Sequence, residues 1–176
     1  MSEIIIADEI DRLRVVYEEI EALIAADASF LQATVPAVSD WSPAQHLYHI
    51  LGSTAMMMKA ATLLAKGAVK GDEPRLTKAG RTVLTTEIIP RGIAQAPDNT
   101  RPPEDLSEQT LQESFARSAG KMNTAIHAAK DGAPDDTGLE HPMWGVLTVP
   151  EWFRAANVHC RHHLDIIGDI QSKHAA

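Results

Sequence analysis

VPEWFRAANVHCRHHLDIIGDIQ, residues Val149 to Gln171, is the stretch from which the rest of the chain is read. Trp152, Ala156, Ile166 and Ile170 recur at steps of three and four, and His159 and His163 fill the gaps in that series. This spacing predicts an amphipathic helix whose buried stripe carries two histidines. Residues four apart lie one above the other on a helix face, so both imidazoles can reach a single ion. His162, one position off, points elsewhere. Two unpaired imidazoles in a helical core would cost roughly 1–3 kcal/mol apiece. The fold must therefore supply partners, either ordinary hydrogen bonds or a divalent cation, and spacing alone leaves both open. A capping box, Thr148-x-x-Glu151 with Pro150 between, marks where the helix begins.

Working outward, Ile10, Leu13, Tyr17, Ile20 and Ile24 form a similar stripe, with no Gly or Pro before Pro36. They predict a long first helix continuing to Phe30 and Leu31, with Asp27 as a partly exposed interruption. The run DWSPAQ starts a second helix, with Ser42 as N-cap, Pro43 at the first helical position and Gln45 at the third, and Gly67 ends it. That helix carries His46 and His49. Both lie near one broad apolar face, and periodicity does not choose between them. Met56, Met57 and Met58 read first as adaptable core filler, with a pocket lining as the alternative. A third helix opens at Ser107, carries Leu111, Phe115, Ser118, Met122 and Ile126, and stops at Gly132 and Pro134. Its His127 is expected to face solvent, and His174 is expected to lie in a disordered tail.

Between Gly67 and Leu106 the pattern dissolves around Pro74, Pro90, Pro97, Pro102 and Pro103. Such a segment is too long for a simple turn. RLTKAGRTVLTTEI can hold one or two helical turns, after which an extended course is expected. The segment reads as a crossover, either forming one wall of a pocket or merely spanning two helix ends. Four amphipathic segments without strand alternation predict an all-α four-helix bundle with this long crossover between helices 2 and 3. An α+β domain using Arg81 to Ile89 as a hairpin strand is the alternative.

Composition narrows the function. The 176 residues fit one domain, 1–176, and 16 Lys and Arg against 24 Asp and Glu give a net charge of −8. That balance argues against phosphate-backbone binding, so no nucleic-acid partner is expected. The lone cysteine, Cys160, cannot form an internal disulfide, and it sits one residue off the histidine face, so a packing role is expected. The N-terminus lacks the basic flank of a secretory peptide, and no apolar run approaches the ~20 residues that cross a bilayer. A soluble, cytoplasmic protein is expected.

His159 and His163 alone would hold an ion weakly. A third neutral donor from helix 2 would complete the arrangement of three ligands and one open position that catalytic zinc uses. Trp41-Ser42-Pro43, a helix with a histidine eight positions after the tryptophan, and a distant His159-x-x-x-His163 together resemble the DinB and YfiT-like superfamily of metal-dependent proteins. The ending HPMWGVLTVPEW with HCRHHLDII looks like a DinB-like subgroup. The resemblance implies a four-helix bundle with a crossover after the second helix. It also implies a divalent transition metal, zinc or nickel foremost, on His49, His159 and His163, with His49 rather than His46 as the first ligand. Related bundles include transferases and isomerases that use low-molecular-weight thiols. Two readings follow. One is a metal-dependent hydrolase or thiol-dependent transferase acting on a small-molecule substrate. The other is a non-catalytic metal-binding or dimerisation bundle. A homodimer is compatible with both.

Overall fold

The computed structural model describes residues 3–92, 96, 98–130 and 136–174. Four long helices organise them: α1 (Ile6–Ile24), α3 (Pro43–Ala65), α5 (Glu108–Lys130) and α6 (Val149–His174), with two shorter helices, α2 (Ala28–Leu31) and α4 (Lys78–Thr86), between them. The long helices pack in a ring, α1 against α5 and α6, and α3 against α5 and α6, while α1 and α3 meet much less. Leu13 and Ile20 of α1, Leu47, Ile50, Leu51 and Met58 of α3, Leu111 of α5, and Phe153 and Ile167 of α6 are fully buried between them. Each such side chain contributes about 1.5–3 kcal/mol of burial.

The all-α expectation needs a correction. Among the described residues the fold is mostly helical, but it includes a three-stranded antiparallel sheet of β1 (Arg75–Leu76), β2 (Leu139–His141) and β3 (Gly145–Leu147), in the order β1-β3-β2. Strands of two and three residues are too short to show alternation, so both linkers concealed them. The alternative strand at Arg81 to Ile89 is also overturned. Thr77 caps helix α4 there by accepting the Gly80 N–H, and Val83 and Leu84 are buried.

Helix starts follow their local chemistry. Ser42 accepts the Gln45 N–H while the Gln45 side chain accepts the Ser42 N–H, so the capping box of α3 is complete. At α6 the box is half realised: the Glu151 carboxylate accepts both the Thr148 N–H and the Thr148 hydroxyl. Ser107 accepts the Thr110 N–H at the head of α5. Gly132 and Pro134, the expected stop of that helix, lie outside the described residues. Asp27 is more than an interruption, because its carboxylate accepts the Ser29 N–H and starts α2 as a separate turn. His174 closes α6, with its ring 6.1 Å from Phe30, rather than lying in a disordered tail.

Two buried polar clusters lock the helices in register. The fully buried Glu9 carboxylate accepts hydrogen bonds from Arg154 Nε at 2.8 Å and from Asn157 Nδ2 at 2.7 Å, tying α1 to α6. Arg12 bridges Glu9 to Glu87 at the end of α4. Deeper in, Ser118 Oγ donates to the Leu51 carbonyl at 2.9 Å and so accepts the Tyr17 hydroxyl, which joins α1, α3 and α5. No helix among the described residues is long and apolar enough to cross a membrane.

Candidate metal centre

Two helices deliver four imidazoles to one interior spot. On α3, His46 and His49 lie three residues apart on a single face, and both are buried. On α6, His159 and His163 lie four apart, His163 buried and His159 partly so. Helices α3 and α6 pack directly against one another, so the two pairs face each other.

The ligand atoms of His49, His159 and His163 all lie within 4.8 Å of one another. His49 Nε2 and His159 Nε2 are 3.2 Å apart. Two nitrogens about 2.0–2.1 Å from one tetrahedral ion stand roughly 3.3 Å apart, so this pair has the separation that a shared ion requires. The other nitrogen of His49 donates to the Thr100 carbonyl at 2.9 Å, which fixes the ring and leaves Nε2 with its lone pair. His159 Nδ1 is buried without a protein partner. That nitrogen lies on the far side of the ring from the shared separation; what fits a divalent ion is the donor set itself, three imidazole nitrogens within 4.8 Å of one another with one pair at the separation of a shared ion.

His46 approaches from behind, its Nδ1 2.8 Å from His163 Nδ1 and its Nε2 2.9 Å from Ser39 Oγ. Trp41 covers the group. Its ring centroid lies 5.2 Å from His49 and 5.4 Å from His46, and its plane is nearly parallel to that of His163 at 6.4 Å.

A family model described as the DinB superfamily matches residues 9–167. The chain belongs to the DinB superfamily. Searches of curated proteins and of solved structures each returned no match.

In this DinB-superfamily chain the imidazoles are held in the form that binds metal. Burial is the first cause in every case. It lowers His46 to about 3, with repulsion from His49, His162 and Arg91 adding to it. It lowers His49, against the opposing hydrogen bond to Thr100. His159 and His163 lie well below the ordinary imidazole value through burial and then through their histidine neighbours. All four are therefore neutral near pH 7, as ligation requires. No carboxylate joins the cluster among the described residues.

Spacing pointed to His159 and His163 and the resemblance to His49, and the structure brings those three together. His162 stands to one side, half-buried and hydrogen-bonded to the Ile89 backbone, with its ring edge-on to His163 at 5.0 Å. Cys160 is fully buried against Thr54, its Sγ 3.3 Å from Thr54 Oγ1, and burial pushes its thiol up to about 11. It faces away from the cluster and is no nucleophile. His127 is exposed, as expected.

Three participants escaped the sequence reading. His46 turns inward beside His49, where the resemblance pointed to His49 alone. Trp41 served only as a landmark, although a tryptophan at the mouth of a capped helix carrying two histidines was the available signal. Thr100, buried within a 3-10 turn (Asp98–Thr100), contributes a backbone carbonyl, and nothing in the side-chain pattern could announce it. The crossover, expected to run extended here, instead bends to clamp His49.

Proposed function

We propose that this protein is a metal-dependent enzyme built on a DinB-like four-helix bundle of α1, α3, α5 and α6. In this reading a divalent transition metal, zinc or nickel, sits on His49, His159 and His163, and the reaction is hydrolysis or thiol S-transfer on a small-molecule electrophile. The observation that carries the reading is the convergence of three neutral imidazoles within 4.8 Å with no fourth protein ligand among the described residues. Three protein ligands and an open position are the arrangement of catalytic rather than structural sites. When bound, the ion supplies Lewis acidity, by which water or a low-molecular-weight thiol loses its proton near neutral pH.

The chain's own part is positioning and exclusion. The Thr100 carbonyl holds the His49 ring by its Nδ1 proton, so the reacting face is fixed before substrate arrives. Trp41 and the buried walls of α3 and α6 keep water from the ligand side, which strengthens every electrostatic interaction there. The net charge of −8 supports a small-molecule substrate rather than nucleic acid, and a cytoplasmic setting accords with the single buried cysteine.

A second reading, a non-catalytic metal-binding or dimerisation bundle, draws on one observation: among the described residues no Asp or Glu stands in the cluster to serve as a general base. One experiment separates the two. The protein is reconstituted with zinc or nickel and screened with thiol and electrophile pairs and with activated esters, His163→Ala serving as control. Turnover that requires both metal and His163 supports the enzyme. Metal binding without turnover favours the second reading, and no metal uptake after reconstitution defeats the enzyme and leaves of the second reading only the dimerisation bundle.

A further inference from the structure

The fourth imidazole of the cluster has neither ring nitrogen to spare. His46 Nδ1 lies 2.8 Å from His163 Nδ1, and His46 Nε2 lies 2.9 Å from Ser39 Oγ. Of two nitrogens at hydrogen-bond distance, one must donate and the other accept. We infer that His46 is a positioning residue for the metal site: its Nδ1 lone pair holds the Nδ1 proton of His163, and so fixes Nε2 as the nitrogen that His163 presents to the ion. The inference rests on the metal reading above.

The direction of that hydrogen bond follows from the donor set. His163 has only Nε2 left to reach His49 and His159, and a ligating nitrogen carries a lone pair. In a neutral imidazole the proton then sits on Nδ1, and His46 must accept it there. His46 in turn is protonated on Nε2 and donates to Ser39 Oγ. Ser39 Oγ also accepts the Trp41 N–H at 3.1 Å, which anchors the hydroxyl at the foot of α3. A line of contacts thus runs from the loop before α3 through His46 to the α6 ligand. His49 has its own clamp in Thr100, so two of the three ligands are held from behind by different segments. Such outer partners set ring orientation and raise ligand basicity, and losing one typically weakens metal binding about 10–100-fold.

Long-range proton–nitrogen NMR of the imidazoles in the zinc-loaded wild type tests this without any substitution. The expected pattern has His163 protonated on Nδ1 and metal-shifted at Nε2, with His46 protonated on Nε2 and unshifted by metal. A metal-shifted nitrogen on His46, or a proton on its Nδ1, overturns the inference while leaving a metal site in place. Chelator-competition titrations add the energetic side. His46→Phe is expected to weaken zinc about 10–100-fold, and His46→Asn, which keeps an acceptor near the Nδ1 position, to recover most of that loss. Equal affinity of wild type and His46→Phe overturns the inference alone. Loss as complete as in His163→Ala makes His46 a ligand and also overturns it. A wild type that takes up no ion overturns the inference together with the metal reading.

Discussion

At the scale of single residues, burial decides what each polar group can do. Glu9 has no access to water, and its charge is tolerated because Arg154, Asn157 and Arg12 all donate to it. Removing Arg154 strands much of that charge, and breaking a buried pair from one side costs about 3 kcal/mol. Arg154→Leu is expected to lose stability of that order in urea unfolding, and a loss under about 0.5 kcal/mol, the level of an ordinary surface change, would contradict the network's role. Cys160 illustrates the converse. Burial raises its thiol to about 11, so it is expected to resist iodoacetamide at pH 8 until the protein unfolds. Rapid alkylation of the folded protein would show that Cys160 is not where the packing puts it. The sequence had pointed to this role through one fact, that residue 160 turns about 100° from residue 159 on a helix. It could not have foreseen Glu9, because a glutamate near a helix start reads as solvated until a distant arginine is known to cover it.

At the scale of elements, the legible features were those whose cause is local. Ser42, Pro43 and Gln45 define the start of α3 within four residues, and the structure realises each bond of that cap. Because α3 carries His46 and His49, the cap also sets the register of half the candidate site. Ser42→Ala is expected to cost about 1 kcal/mol, read by thermal or denaturant unfolding, and an unchanged midpoint would deny the cap that weight. The strands were illegible for the opposite reason, since β1 meets β3 some seventy residues away, at Arg75 and Val146, and no window of sequence contains both. Their junction with α4 is tight. A Cβ on Gly80 would stand 2.2 Å from the Trp144 carbonyl oxygen, so Gly80→Ala is expected to destabilise by about 1–3 kcal/mol by forcing α4 off the β2–β3 turn. Were Gly80→Ala neutral in the same assay, that docking would be looser than drawn. The histidine pair on α6 was legible because the helical period put both on the core stripe. The choice between His46 and His49 was not, because both lie on the inner face and only the partner helix decides which nitrogen meets which.

At the scale of the whole molecule, the ring of four long helices buries a set of neutral imidazoles, and this couples stability to pH. Burial holds His46 down to about 3 inside the ring and, outside the cluster on β2 beside Trp144 and Trp152, His141 to about 4. In the unfolded chain both titrate near 6.5. Above about pH 6.5 both states are neutral at these groups and the full stability is present. As the pH falls below that, the unfolded chain takes up protons that the fold refuses, so stability drains until the folded groups protonate near 4 and 3. In the presence of a chelator, the melting temperature is therefore expected to fall steadily between about pH 6.5 and 5, ahead of the main carboxylate titrations. A flat profile across that interval would mean that these histidines are not held neutral. An ion on the same cluster opposes the loss, since it binds the folded state alone.

Native mass spectrometry after reconstitution with zinc or nickel tests the claim that α3 and α6 meet to make one three-histidine ion site. One ion per chain is expected for the wild type and for His162→Ala, and none is expected for His49→Ala, His159→Ala or His163→Ala while each stays folded. A wild type without bound metal, or a His163→Ala protein that retains it, would contradict the claim.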